Sequence, residues 1–144
     1  MCGIAGIVSR DKSQLNKVIS MTDLIAHRGP DGFGYYYGDS IALGHRRLSI
    51  IDLSENGKQP MEYMDRYVIT YNGEVYNHLE LRAELEDRGY QFKSHCDTEI
   101  IMAAYDCWER DCLDKFNGMW SFIIYDKVKN VVFCEFCQVA EQIS

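Results

Sequence analysis

Met1-Cys2-Gly3-Ile4-Ala5-Gly6-Ile7-Val8 opens the chain. The run is apolar and partly β-branched, so it reads as a buried strand that begins almost at the terminus. Its second residue adds a chemical possibility. Methionine is removed readily when the next side chain is small, and removal here would make Cys2 the first residue. A thiol and a free α-amine would then share one residue. An α-amine has an unperturbed pKa of about 8, so part of it is unprotonated at neutral pH. It can take the thiol proton, directly or through a water, and activate the sulfur as a nucleophile. The bland alternative is that small residues are simply common after an initiator methionine.

Outward from this strand, Leu15, Val18, Ile19, Met21 and Ile25 recur at helical spacing and predict an amphipathic helix over residues 14–26. His27-Arg28-Gly29-Pro30-Asp31-Gly32 breaks it, because proline restricts its predecessor and glycine permits unusual dihedrals. Strand-like runs follow at Gly34–Gly38, Ile41–Gly44 and Leu48–Leu53, then a polar loop over Ser54–Pro60. Tyr67–Tyr71 is a further strand, stopped by Asn72-Gly73. Asn77 with Glu80 resembles a capping box for a helix reaching Arg88, with Gly89 as its stop. Residues 90–94 alternate as a short strand, and Asp97 caps a helix carrying Ile101, Ala104, Tyr105 and Trp108. Met119–Tyr125 and Asn130–Phe136 flank the charged turn Asp126–Lys129 as a hairpin. Strands clustered at both ends of a helical middle predict an α+β fold of layered sheets.

The bulk composition narrows the function classes. A chain of 144 residues fits one domain, and its net charge of −7 with scattered basic residues argues against a nucleic-acid partner. No apolar run approaches the roughly 20 residues needed to span a bilayer, and no signal peptide is visible, so a cytoplasmic protein without membrane attachment is expected. Six cysteines include the pairs Cys134/Cys137 and Cys107/Cys112. The second pair is too loose for a zinc knuckle, so reduced thiols and no metal are the expectation.

Three polar clusters sit where functional groups tend to be presented. In Gly44-His45-Arg46-Arg47-Leu48-Ser49-Ile50, a guanidinium flanked by apolar strand residues is a fork for a carboxylate. Two solvated arginines on a sheet edge are the plain alternative. In Tyr71-Asn72-Gly73-Glu74-Val75-Tyr76-Asn77, the Asn72 side chain and the Gly73 N–H put two donors at one bend, which is what an oxyanion hole requires. An ordinary hairpin turn is the alternative there. In Ser94-His95-Cys96-Asp97-Thr98-Glu99, a capping carboxylate has a second oxygen for a substrate ammonium. A terminal thiol, paired donors, an arginine and acids suit acyl transfer from a small zwitterion.

In this order the clusters closely resemble the glutaminase domain of class II glutamine amidotransferases, and within that class the asparagine synthetase family. The matching stretches are MCGIAGIV at 1–8, HRGPDG at 27–32, LGHRRLSIIDL at 43–53, QPM at 59–61, YNGEVYNHLELRAEL at 71–85, DTEII at 97–101 and FNGMWSFIIYD at 116–126. The resemblance implies an N-terminal nucleophile hydrolase-like fold, a four-layer αββα sandwich. It implies Cys2 as nucleophile, Asn72 and Gly73 as the oxyanion donors, Arg47 on the substrate carboxylate, and Asp97 on the ammonium with help at Glu74. Glutamine is the implied substrate. The glutaminase step would need no cofactor, whereas ATP and Mg would serve a synthetase domain that lacks a counterpart in this chain and would act in trans.

The similarity decays after Phe133. Residues 1–133 therefore read as a partial amidotransferase domain, residues 134–144 as a divergent tail, and the sandwich as C-terminally incomplete. Two other readings stay open. One is an inactive remnant that keeps the site residues. The other is a small cysteine-rich metal or redox regulator built on Cys134 and Cys137.

Overall fold

The computed structural model describes residues 2–48 and 57–137, so Met1, most of the strand expected at Leu48–Leu53 and the end of the tail lie outside the described residues. The elements are β1 (Gly3–Val8), α1 (Lys12–Leu15), α2 (Lys17–Leu24), a 3-10 turn (Ala26–Arg28), β2 (Gly32–Tyr37), β3 (Ile41–Arg47), β4 (Met61–Tyr63), β5 (Tyr67–Val75), α3 (His78–Asp87), α4 (Asp97–Trp108), a second 3-10 segment (Glu109–Lys115), β6 (Gly118–Asp126) and β7 (Val131–Phe136). They form two antiparallel sheets, ordered β1-β3-β2 and β4-β5-β6-β7. Among the described residues no helix is long and apolar enough to cross a membrane.

Strand alternation sorts the side chains into three buried layers. Ala5, Leu15, Val18 and Ala42 pack between the first sheet and α1–α2. Ile41, Leu43, Val68 and Tyr125 pack between the two sheets. The largest cluster, including Ile69, Tyr71, Leu85, Ile101, Met102 and Phe122, fills the space between the second sheet and α3–α4. The order α-β-β-α is the expected sandwich. A polar link also crosses between the sheets, where Thr70 Oγ1 donates to the Gly44 carbonyl at 3.1 Å.

Gly44 shows how tightly the first helical layer sits. A Cβ at this position would fall 2.2 Å from Thr22 Oγ1 and 3.2 Å from Val18 Cγ2. Thr22 is fully buried, and its hydroxyl is committed to the Val18 carbonyl at 2.6 Å. Gly44→Ala is therefore expected to push α2 off the sheet and lower stability by about 1–3 kcal/mol, read as a lower denaturation midpoint.

Several local expectations give way to longer-range contacts. The helix expected over 14–26 is two short helices meeting at Asn16, the first capped by the Asp11 carboxylate on Ser13 N–H at 3.0 Å. Residues 90–94 form no strand, because the N–H groups of Lys93 and Ser94 donate to the Glu99 carboxylate instead of a ladder. Asn77 stands at the start of α3 without capping it. Its side chain spans to the Lys115 carbonyl at 2.8 Å and the Asn117 N–H at 2.9 Å. Asp97 is the first helical residue of α4, with Cys96 at the capping position. Gly89 ends α3 as expected, with φ of +95° and its N–H on the Glu86 carbonyl.

The largest departure is β5. It does not stop at Asn72-Gly73 but continues to Val75, because β6 supplies a partner along its whole length, from Tyr67↔Asp126 to Val75↔Gly118. At the other end of the chain, β7 pairs with β6 through Phe136, three residues beyond the point where the sequence pattern decays.

Candidate active site

Cys2 sits immediately before β1, and the register that pairs Gly3 with Arg46 sets it across from Arg47. Its sulfur accepts from the Leu48 N–H at 3.4 Å, and its carbonyl accepts from Arg28 Nε at 3.1 Å. Cys2 is half-buried. Cys2 is thus held between the start of one strand, the end of its neighbour and the 3-10 turn carrying Arg28.

The two arginines of β3 face opposite ways. Arg46 points toward α2, where Nε donates to the Thr22 carbonyl at 3.1 Å and its guanidinium pairs with Asp23 and covers the Phe33 ring. That side chain fastens the sheet to its helix. Arg47 shares the opposite face with Ile41, Leu43 and His45, the face turned to the second sheet.

His45 connects the two sheets at this end. Its Nε2 lies 3.2 Å from the Tyr71 carbonyl, and since a carbonyl only accepts, Nε2 carries the proton. The residue after Tyr71 is Asn72, and two residues after His45 is Arg47. One hydrogen bond therefore ties the end of β3 to the middle of β5.

Burial is the chief cause that pulls the His45 pKa down to about 4, opposed by the bond to the Tyr71 carbonyl. The sign follows directly. As pH falls below about 6.5 an unfolded chain protonates this imidazole while the folded chain refuses the proton, so stability drops until about pH 4, where the folded form protonates too. The contribution lost is on the order of 3 kcal/mol. His45→Gln, which keeps a donor for Tyr71, is expected to flatten the fall in melting temperature across this window relative to the parent chain.

The edge of β5 away from β6 presents a row of amides. Tyr76 N–H bonds the Asn117 carbonyl at 2.7 Å, so even-numbered amides point to β6 and odd-numbered ones point the other way. Tyr71 N–H is taken by Gln59 Oε1 at 2.6 Å, and Val75 N–H by Asp97 Oδ2 at 3.0 Å. Gly73 N–H lies between them on this edge, at an exposed residue with φ of +148°. Asn72 is half-buried and shares the inter-sheet face of Val68 and Thr70, whereas Glu74, further along that face, is exposed and stands opposite Met119.

Asp97 reaches this strand from the start of α4. Its Oδ2 accepts from both the Tyr71 hydroxyl, at 2.7 Å, and the Val75 N–H. The carboxylate is therefore anchored to β5 rather than used as a cap for its own helix. Burial first, and then the Asp97 charge, push the Tyr71 phenol far above its ordinary pKa, so it stays a donor at all working pH.

The register thus sets Cys2 across from Arg47, Asp97 is bonded on the β5 edge that carries Gly73, and the His45–Tyr71 bond ties the two strands together, with Glu74 exposed further along β5. Sequence reading missed the residues that hold these in place: Arg28, His45, Gln59 and Tyr71. All four lie inside the quoted motifs, which was the one local signal available. A cleft of about 290 Å³ opens beside the site between the edge strands β1 and β7, lined by Ile4, Ser121, Ile123, Cys134 and Phe136 among others. Cys134 faces this cleft, whereas Cys137 packs into the cluster under α4, so the two thiols lie on opposite faces of the second sheet. Among the described residues no group of three or more His, Cys, Asp or Glu side chains is placed to hold a metal.

Comparison with known proteins gives consistent results. The glutamine amidotransferase domain family matches residues 1–135. Asparagine synthetase [glutamine-hydrolyzing] 1 of Bacillus subtilis is 42% identical over 141 residues, which is 92% of this chain and 22% of that protein. Asparagine synthetase B [glutamine-hydrolyzing] of Escherichia coli is 41% identical over 134 residues, covering 90% of this chain and 24% of its own length. The chain thus spans about a quarter of the curated relatives it matches. Among solved structures, a glutamine phosphoribosylpyrophosphate amidotransferase from B. subtilis superposes with a TM-score of 0.69 at 18% identity, over 88% of this chain and 35% of that one. That likeness supports the N-terminal nucleophile hydrolase-like architecture. The chain belongs to the glutamine amidotransferase domain family, whose domain it matches over residues 1–135.

Proposed function

We propose that this chain hydrolyses glutamine to glutamate and ammonia through a thioester on Cys2, as the glutaminase part of an asparagine synthetase-like enzyme. What supports the reading is that the Gly3↔Arg46 register sets Cys2 across from Arg47, and that the His45–Tyr71 hydrogen bond ties that strand to the one carrying Asn72-Gly73.

In this mechanism Met1 is removed and the Cys2 α-amine accepts the thiol proton. The thiolate attacks the carboxamide carbon, and the oxyanion is stabilised by the Asn72 side-chain amide and the Gly73 N–H. The tetrahedral adduct collapses by breaking the C–N bond. The proton carried by the α-amine goes to the leaving nitrogen, and ammonia departs. Water then adds to the glutamyl thioester, and glutamate leaves as the thiol is restored. Arg47 pairs with the substrate carboxylate. Asp97 receives the substrate ammonium, with Glu74 adding negative charge at the rim.

The residues for this step come from the chain itself, and glutamine is its small-molecule partner. Using the ammonia falls to a synthetase domain or subunit, which would supply the ATP and Mg chemistry. Residues 1–133 are read as the amidotransferase portion and residues 134–144 as a divergent tail, in a cytoplasmic protein. Purified chain incubated with glutamine is expected to release glutamate and ammonia in equal amounts. Asparagine, one methylene shorter, should give neither. A folded chain from which Met1 has been removed, and which releases no glutamate from glutamine, overturns the reading.

A further inference from the structure

Tyr71 is buried, and each of its three polar groups is gripped by a different residue. Its N–H donates to Gln59 Oε1 at 2.6 Å, its carbonyl accepts from His45 Nε2 at 3.2 Å, and its hydroxyl donates to Asp97 Oδ2 at 2.7 Å. The next two residues are Asn72 and Gly73. Three elements of the proposed site therefore meet at one residue: the oxyanion donors follow it in sequence, the ammonium carboxylate hangs from its ring, and the arginine strand is tied to its backbone.

We propose that Tyr71 is a positioning residue that fixes Asp97 so that one carboxylate oxygen faces the substrate's α-ammonium. This rests on the glutaminase reading and goes beyond it by naming what sets amine recognition. Both donors to Asp97, the Tyr71 hydroxyl and the Val75 N–H, fall on Oδ2. Oδ1 receives neither of them. A carboxylate on a short side chain at a helix start can rotate about its last bond, and a single backbone donor does not choose between its two oxygens. Two donors converging on one oxygen do. Removing the hydroxyl leaves the Arg47 guanidinium and the Cys2 sulfur untouched, so the effect is confined to ligands that carry the amine.

The test reads protection of Cys2 from iodoacetamide, resolved by peptide mass because the chain has six cysteines. The protecting ligands are L-glutamate and glutarate, which share two carboxylates and differ in the amine. In the parent chain glutamate is expected to protect at a concentration at least tenfold lower than glutarate, the discrimination one charge-assisted hydrogen bond supplies. In Tyr71→Phe the glutamate concentration should rise about tenfold while that of glutarate stays within twofold.

The phenylalanine keeps the ring packing and the backbone bonds to Gln59 and His45. A melting temperature checks that the variant is folded. As a second measure, Tyr71→Phe combined with Asp97→Asn should lose no more glutamate protection than Asp97→Asn alone. Equal shifts for both ligands in Tyr71→Phe, no shift for either, or additive losses in the double variant overturn the proposal. A parent chain that does not distinguish glutamate from glutarate overturns it as well. Failure of the glutaminase reading is a separate result, read from ammonia release by the parent chain.

Discussion

Cys2→Ala abolishes ammonia release from glutamine, with an expected loss of more than about ten-thousandfold, because the covalent route disappears and water alone must attack an unactivated amide. The size of the effect follows from the role of the sulfur. In the proposed mechanism the groups that would remain, Arg47, Asp97 and the Asn72-Gly73 donors, bind and polarise the substrate but form no bond to it. The fold should be indifferent to the change. The side chain is half-buried, and its sulfur makes long contacts among the described residues, 3.4 Å from the Leu48 nitrogen and 3.8 Å from the Leu48 carbonyl oxygen. An ammonia assay beside a melting curve separates the two. Activity within tenfold of the parent chain would remove Cys2 from the chemistry.

Gly73→Ala has the second largest effect, and it strikes site and fold together. At φ of +148° an added Cβ would lie 2.2 Å from the Met119 carbonyl oxygen and 2.6 Å from Trp120 Cα. Those are backbone atoms of β6, with no flexible side chain to give way. The strand must therefore twist, and the Gly73 N–H turns off the edge it shares with the Tyr71 and Val75 amides. We expect at least a hundredfold loss in kcat together with destabilisation on the order of 3 kcal/mol. Asn72→Ala is the control. It removes one oxyanion donor, costs about a hundredfold in kcat, and leaves the melting temperature close to that of the parent. A Gly73→Ala chain with unchanged melting and unchanged turnover would show that this close approach of β5 to β6 is neither tight nor catalytic.

The residues of the site were legible in the sequence because each sits in a short, ordered motif whose chemistry can be named: a thiol at position two, paired donors at Asn72-Gly73, an arginine at a strand end. The layered α+β architecture followed from strand runs flanking a helical middle. What stayed hidden depends on partners distant in sequence. Nothing local says that β5 should run through Asn72-Gly73; the full-length pairing with β6, some fifty residues away, decides it. Residues 90–94 alternate like a strand, yet their amides are claimed by Glu99 from α4.

Asn77 and Asp97 look like helix caps, and each instead sends its side chain to another element. The arginine pair illustrates the same limit. Apart from the family resemblance, the strand pattern does not distinguish Arg46 from Arg47, whereas in the fold alternation sends one to Asp23 on α2 and the other to the face shared with His45. Tyr71, His45 and Gln59 act only through contacts across the sheets or between loop and strand. Their importance is therefore invisible until the strands are side by side.

The central claim is that a mature Cys2 stands in an assembled glutamine pocket. The most direct measurement is the intact mass of the purified chain before and after exposure to a glutamine-like diazoketone. The account predicts loss of Met1 and a single adduct, absent in Cys2→Ala. A chain that has lost Met1 and takes up no adduct, or one whose adduct persists in Cys2→Ala, would contradict it.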